Sequence, residues 1–180
     1  MGVYEVCPSY ENELIMLRPL RQGDAPSLLR CYSDPYAAPF FNGDNCHGDD
    51  FRYTTPERMQ QAVDMWLESY RTRQFVRWVI EDSAMGRVIG TVEMFHSDDA
   101  DRPQPYGVLR IDLQSAYETR AYLLAVLRLC LEHFYEDFDV REIVTKGWPD
   151  AFERRAALEA LGFIPTDFRA YAHYFKKEKD

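Results

Sequence analysis

The run from Phe75 to Lys146 constrains this chain more than any other part of it. Phe75 to Glu81 (FVRWVIE) and Val88 to Phe95 (VIGTVEMF) are apolar, β-branched stretches. The turn-like Asp82-Ser83-Ala84-Met85-Gly86-Arg87 joins them, which predicts an antiparallel hairpin. Tyr106 to Leu113 (YGVLRIDL) sets Val108, Arg110 and Asp112 against Leu109, Ile111 and Leu113, the two-residue period of a strand. A helix from about Ala116 to Phe138 follows, with Leu123, Val126, Leu127, Cys130, Leu131 and Phe134 on its buried stripe. Glu142 to Lys146 (EIVTK) reads as a short strand entered directly from that helix. A strand-helix-strand crossover makes its two strands parallel, so the expected sheet is mixed.

The flanks extend this plan. Leu14 to Leu20 (LIMLRPL) reads as a first strand, and Asp24 as the cap of a short helix to about Ser33. Residues 34–53 are rich in Asp, Asn, Gly, Pro and aromatics, which predicts a long loop of the kind used as a lid or substrate-side wall. Thr55-Pro56-Glu57 opens a helix that runs to about Arg73. Asp150 with Glu153 predicts a capping box for a helix ending at Leu161-Gly162. The segment from Phe163 closes the chain as a last strand or hairpin. With 180 residues and no repeat or linker, one domain is expected.

Charge and cysteines narrow the partners. A net charge of −9 repels phosphate backbones, and the one basic run, Lys176-Lys177-Glu178-Lys179, reads as a solvated end, so no nucleic-acid partner is expected. The N-terminus lacks a basic start followed by an apolar run, and no stretch reaches the roughly 20 apolar residues of a membrane span. The four cysteines, Cys7, Cys31, Cys46 and Cys130, form no CxxC pair, which fits a reducing cytoplasm. Cys46-His47 beside Asp49 and Asp50 lacks the second ligand pair of a zinc site, so no metal is expected. The 12 Tyr and 11 Phe supply either an aromatic core or an aromatic-lined pocket.

Three short stretches carry a resemblance: Leu17-Arg18-Pro19-Leu20 with Asp24, Gly86-Arg87-Val88-Ile89-Gly90, and Leu158 to Phe163 (LEALGF). In their order and spacing, and in the succession of elements, the chain resembles the GNAT superfamily of acyl-CoA-dependent N-acyltransferases over nearly its whole length. The resemblance implies an α/β fold with a central, mostly antiparallel sheet, a β-helix-β crossover and flanking helices. It also implies acetyl-CoA as cofactor and a small-molecule or peptide amine as acceptor. Backbone groups of the strand containing Ile111 and Leu113 would meet the pantetheine arm, and the loop Gln114, Ser115, Tyr117, Glu118, Thr119 and Arg120 would meet the pyrophosphate.

That loop departs from the family pattern of Gln or Arg, two residues, Gly, one residue, then Gly or Ala. Gln114 is present, but Tyr117 and Thr119 stand at the glycine positions. Ser115 and Glu118 read as a capping box that offers the helix start its own carboxylate. Positions where the family places Asn, Ser and Tyr hold Ala151, Arg154 and Leu158; Arg154 and Arg155 read as solvated arginines or as phosphate partners. Glu93 and Asp112 are the carboxylates best placed to act as general base; strand alternation reads Glu93 first as a solvent-facing structural group, and Asp112 reads also as a partner of Arg110 or a cap of the next helix. His96, Tyr171, His173 and Tyr174 are weaker candidates, and His133 reads as structural. Two functions follow: an N-acetyltransferase, or a GNAT-fold domain that has lost catalysis and binds a ligand or a protein. A homodimer whose 36–53 loop completes a pocket is a third arrangement.

Overall fold

Eight strands form one mixed sheet in a computed structural model that describes residues 2–44, 46–100 and 102–180. Asn45 of the long loop and Asp101 of the connection ahead of Tyr106 lie outside the described residues. In chain order the strands are β1 (Tyr10–Glu11), β2 (Ile15–Pro19), β3 (Val76–Asp82), β4 (Arg87–Ser97), β5 (Tyr106–Leu113), β6 (Glu142–Lys146), β7 (Ile164–Phe168) and β8 (Tyr171–Glu178). In space they run β1-β2-β3-β4-β5-β6-β8-β7, antiparallel throughout except for the parallel pair β5–β6. The expected hairpin and crossover are therefore both present.

Strand alternation decides what each face buries. Val79 of β3 joins one apolar cluster with helices α1 (Ala25–Tyr32) and α2 (Pro56–Arg71), through Leu28, Tyr32, Met59, Val63 and Trp66. Its neighbours Trp78 and Ile80 join a second cluster on the other face, with α3 (Arg120–Asp137) and α4 (Phe152–Ala160). Leu109, Ile111 and Leu113 of β5 belong to that second face, which leaves Arg110 and Asp112 on the α1/α2 side. The described residues between Ser33 and Thr55 carry no regular element beyond a short 3-10 turn at Ala38–Phe40, as a long loop predicts. At Gly90, β4 comes so close to β5 that an added Cβ would lie 2.0 Å from the Asp112 carbonyl oxygen.

Helix starts are where the expectations fail. Only Thr55 caps as read, accepting the Arg58 amide at 3.2 Å ahead of Pro56. Asp24 instead grips Arg18 with both carboxylate oxygens, at 2.9 and 2.8 Å, and takes the Arg21 amide at 2.7 Å. α3 begins at Arg120, after a 3-10 turn at Ser115–Tyr117, and no Ser115–Glu118 capping box forms. Glu153 does not cap its own helix; it accepts the Arg120 amide of α3 at 2.7 Å. Asp24 and Glu118 bind guanidinium groups, and a charge-assisted pair outweighs a neutral cap; Glu153 bonds a backbone amide of another helix instead.

Candidate functional site

β5 and β6 part company halfway. Their parallel pairing runs from Tyr106–Glu142 to Leu109–Thr145, and β5 continues to Leu113 without a partner on that side. This divergence is where the sequence predicted a cofactor arm against Ile111 and Leu113. Arg154 of α4 fills it. Its Nη1 donates to the Ile111 carbonyl at 2.8 Å, while Nε and Nη2 donate to the two Glu118 oxygens at 2.7 and 2.8 Å. Arg154 is only 5% exposed, so the expectation of a solvated arginine is overturned. Burial alone would lower its pKa, but the Glu118 carboxylate outweighs that and holds it above the ordinary value.

The loop that follows is satisfied in the same way. The Ser115 amide donates to Asp34 Oδ2 at 2.8 Å and the Arg120 amide to Glu153 Oε2 at 2.7 Å. Gln114 Nε2 turns back to the Val88 carbonyl at 3.0 Å. Burial pushes the Asp34 carboxyl up, yet the bonds it accepts from Ser115 and its neighbours bring it below the usual aspartate value. Tyr117 packs edge-on against Tyr122 with ring centroids 5.0 Å apart, and Thr119 is the extended residue ahead of α3, making no side-chain cap bond. Arg120 extends into solvent.

An acyl-CoA needs free amides at this helix start for its pyrophosphate and a free strand edge for its pantetheine. Here the Ser115 and Arg120 amides are already bonded to Asp34 and Glu153, and Arg154, paired with Glu118, takes the Ile111 acceptor. The residues present do not fit that cofactor.

Glu93 and Asp112 meet on the α1/α2 face in a buried row. Register aligns Arg77 of β3 with Glu93 of β4 and Arg110 of β5, and Thr91 with Asp112. Arg77 Nη2 bonds Glu93; its Nη1 reaches Tyr32 Oη at 2.9 Å and Thr91 Oγ1 at 2.8 Å, with Asp112 at 3.4 Å. Arg110 lies 3.5 Å from Glu93 and donates to the Asp44 carbonyl at 3.2 Å and to Cys46 Sγ at 3.0 Å. Trp66 lies 3.9 Å from the Arg77 guanidinium and Phe51 4.8 Å from that of Arg110. Phe51 reaches this position through a left-handed backbone, φ 58°. Glu93 is 3% exposed and Asp112 is fully buried, so both candidate bases are ion-paired beneath aromatic rings. Among the described residues, Arg77 Nε, Arg110 Nε and Asp112 Oδ1 lack a hydrogen-bond partner.

The long loop is pinned over this row from the other side. Lys146 Nζ lies 2.7 Å from Asp44 Oδ2, and Tyr174 Oη donates to the same oxygen at 3.1 Å while accepting from Asn42 at 2.8 Å. Burial raises the Tyr174 pKa, which keeps the phenol protonated. His96 Nδ1 meets the Phe138 carbonyl at 2.8 Å, His133 stacks on Tyr10, and His173 faces solvent beside Trp148. Tyr171 packs near Phe168 and Tyr174. Among the described residues no group of three His, Cys, Asp or Glu could hold a metal. The reading of the sequence missed Arg77, Tyr32, Asp34 and Lys146. Opposite charges on the same face of three consecutive strands were the available signal for Arg77.

Residues 15–164 match the family description "Acetyltransferase (GNAT) domain". The chain belongs to the GNAT acetyltransferase family. No curated protein matches its sequence. Solved structures match its fold. The RimJ of Mycobacterium smegmatis in complex with CoA-disulfide superposes with a TM-score of 0.72 at 17% identity, over 91% of this chain and 81% of that one. A Vibrio fischeri ribosomal-protein-S5-alanine acetyltransferase gives 0.67 at 18% identity, over 96% and 97%. A Bacillus anthracis GNAT-family acetyltransferase gives 0.71 at 10% identity, over 96% and 99%. These likenesses establish the architecture: a mixed sheet flanked by helices.

Proposed function

We propose that this GNAT domain is a binding module in which internal ion pairs have replaced the acyl-CoA site. The observation that carries this reading is Arg154, which bonds Ile111 and Glu118 together in the divergence of β5 and β6. Displacing it would strand the Glu118 carboxylate, of which 7% is exposed, and breaking a buried pair costs about 3–5 kcal/mol. A cofactor would have to repay that before gaining any affinity.

One observation favours transfer of an acetyl group from acetyl-CoA to a small-molecule or peptide amine: beyond Leu109 β5 has no strand beside it on the β6 side, as the family's strand divergence requires. On that reading Glu93 or Asp112 would serve as base only after release from Arg77. Absence of disulfides among the described residues fits a reducing cytoplasm, and no described helix is long and apolar enough to cross a membrane.

Thermal unfolding in the presence of acetyl-CoA decides between the two. A ligand at about 100 times its dissociation constant stabilises the native state by about 2.7 kcal/mol. The binding-module reading expects no shift up to millimolar acetyl-CoA. A saturable shift, or release of CoA thiol with an amine panel, would sink it.

A further inference from the structure

At the opposite end of β5 from the closed slot, a cleft of about 610 Å³ opens beside the strand starts Tyr106 and Glu142. Tyr106 and Leu113 are seven steps apart along one strand, roughly 23 Å, so the two regions are separate. The volume lies in the range typical of small-molecule sites, roughly 300–1,000 Å³. Five basic residues line it: Arg102, Arg141, Arg169, Lys176 and Lys179. Its acidic lining residues are Glu142, Asp167 and Glu178. In a chain of net charge −9, this is a local excess of positive charge.

The ion pairs inside the cleft are unevenly matched. Glu142, 9% exposed, is a single carboxylate shared by Arg102 and by Lys176, whose Nζ lies 3.0 Å away. Arg102 is fixed further by the Asp167 carbonyl at 2.9 Å, with its guanidinium 5.2 Å from the centre of the buried Tyr106 ring. Lys176 also meets Glu178, and Lys179 meets Glu136; those two carboxylates are 71% and 78% exposed, and exposed pairs exchange readily with other anions. The exposed Arg141 feels the Glu136 carboxylate through space, a charge that Lys179 holds directly. The Arg141 backbone is held on both sides, its amide bonding the Pro105 carbonyl at 3.0 Å and its carbonyl the Lys179 amide at 2.9 Å. An exposed guanidinium thus projects from a rigid base beside two lysines whose partners are solvent-exposed or shared.

We propose that this cleft binds a small phosphate-bearing molecule, with its phosphate on Arg141, Lys176 and Lys179. A phosphate group carries close to two charges and three acceptor oxygens, enough to meet an arginine fork and two ammonium groups together. The part-buried Arg102–Glu142 pair forms the floor. The cleft exceeds the size of one phosphate, leaving room for an organic portion. This inference does not depend on whether acyl-CoA binds at the other end of β5.

Calorimetric titration with inorganic pyrophosphate at low ionic strength tests it, with citrate as a carboxylate polyanion for comparison. Saturable binding of one pyrophosphate per chain is expected, with citrate clearly weaker. Arg141→Ala and Lys176→Met should each weaken it about tenfold, the loss of one charge-assisted contact. Arg141 is exposed, so circular dichroism of its variant should match the parent. Absence of saturable heat to millimolar pyrophosphate, citrate binding as tightly, or undiminished binding in both variants would overturn the assignment.

Discussion

Arg154 and Glu118 form a two-pronged ion pair that fastens the first turn of α4 to the residue just ahead of Thr119 and α3. Only 6% and 7% of the two side chains are exposed. Arg154→Met should therefore destabilise the fold by about 3–5 kcal/mol, because it leaves a buried carboxylate unpaired. Pairing it with Glu118→Leu should recover most of the loss, since two apolar groups need no partner. Urea unfolding of the single and double variants gives the coupling; a double variant no better than Arg154→Met would show that the pair is not the cause.

Tyr32 joins α1 to the charged row, its hydroxyl lying 2.7 Å from Thr91 Oγ1, 2.7 Å from Asp112 and 2.9 Å from Arg77. Tyr32→Phe keeps the ring and removes all three bonds. The expected cost is about 1–3 kcal/mol, the penalty for stranding buried polar groups, read from the denaturation midpoint with an unchanged m-value.

The close approach at Gly90 leaves no space for a methyl group, since the obstructing atom is backbone rather than a flexible side chain. Gly90→Ala should force β4 from β5 and destabilise the protein by about 1–3 kcal/mol. A neutral outcome in thermal unfolding would mean that this register is looser than described.

Asp34 supplies a pH dependence. Its folded pKa lies below the ordinary 3.8, so its contribution to stability is fully present above that value. It is lost as pH falls through the lower folded value. Asp34→Asn should flatten this part of the acid limb and leave stability nearly unchanged in its pH slope at neutral pH. Chemical denaturation across pH 2 to 6 (about the span of the aspartate titration) measures it; an unaltered acid limb would exclude the Ser115 bond as its source.

The strands and the crossover were legible because their signals are local: Leu109, Ile111 and Leu113 alternate with Arg110 and Asp112 within one strand, and α3 repeats its apolar stripe over five turns. The closed slot was half legible. Tyr117 and Thr119 at glycine positions marked the loop as divergent, but its ion pairs did not show, because Arg154 meets Glu118 across 36 residues and Ile111 across 43. Glu153 and Asp24 misled for the same reason, each matching a short-range cap pattern while bonding elsewhere. Arg77 was hidden in an apolar run, and its meaning depends on the order of three strands.

The anions that finish the start of α3 are covalently part of the polypeptide. Most proteins that rely on a dissolved metabolite to complete a helix end are more labile when that metabolite runs short. This chain carries its counter-charges with it from synthesis, at a local concentration that dilution cannot lower. The start of α3 and the turn ahead of it therefore stay bonded to Asp34, Glu118 and Glu153 whatever the dilution.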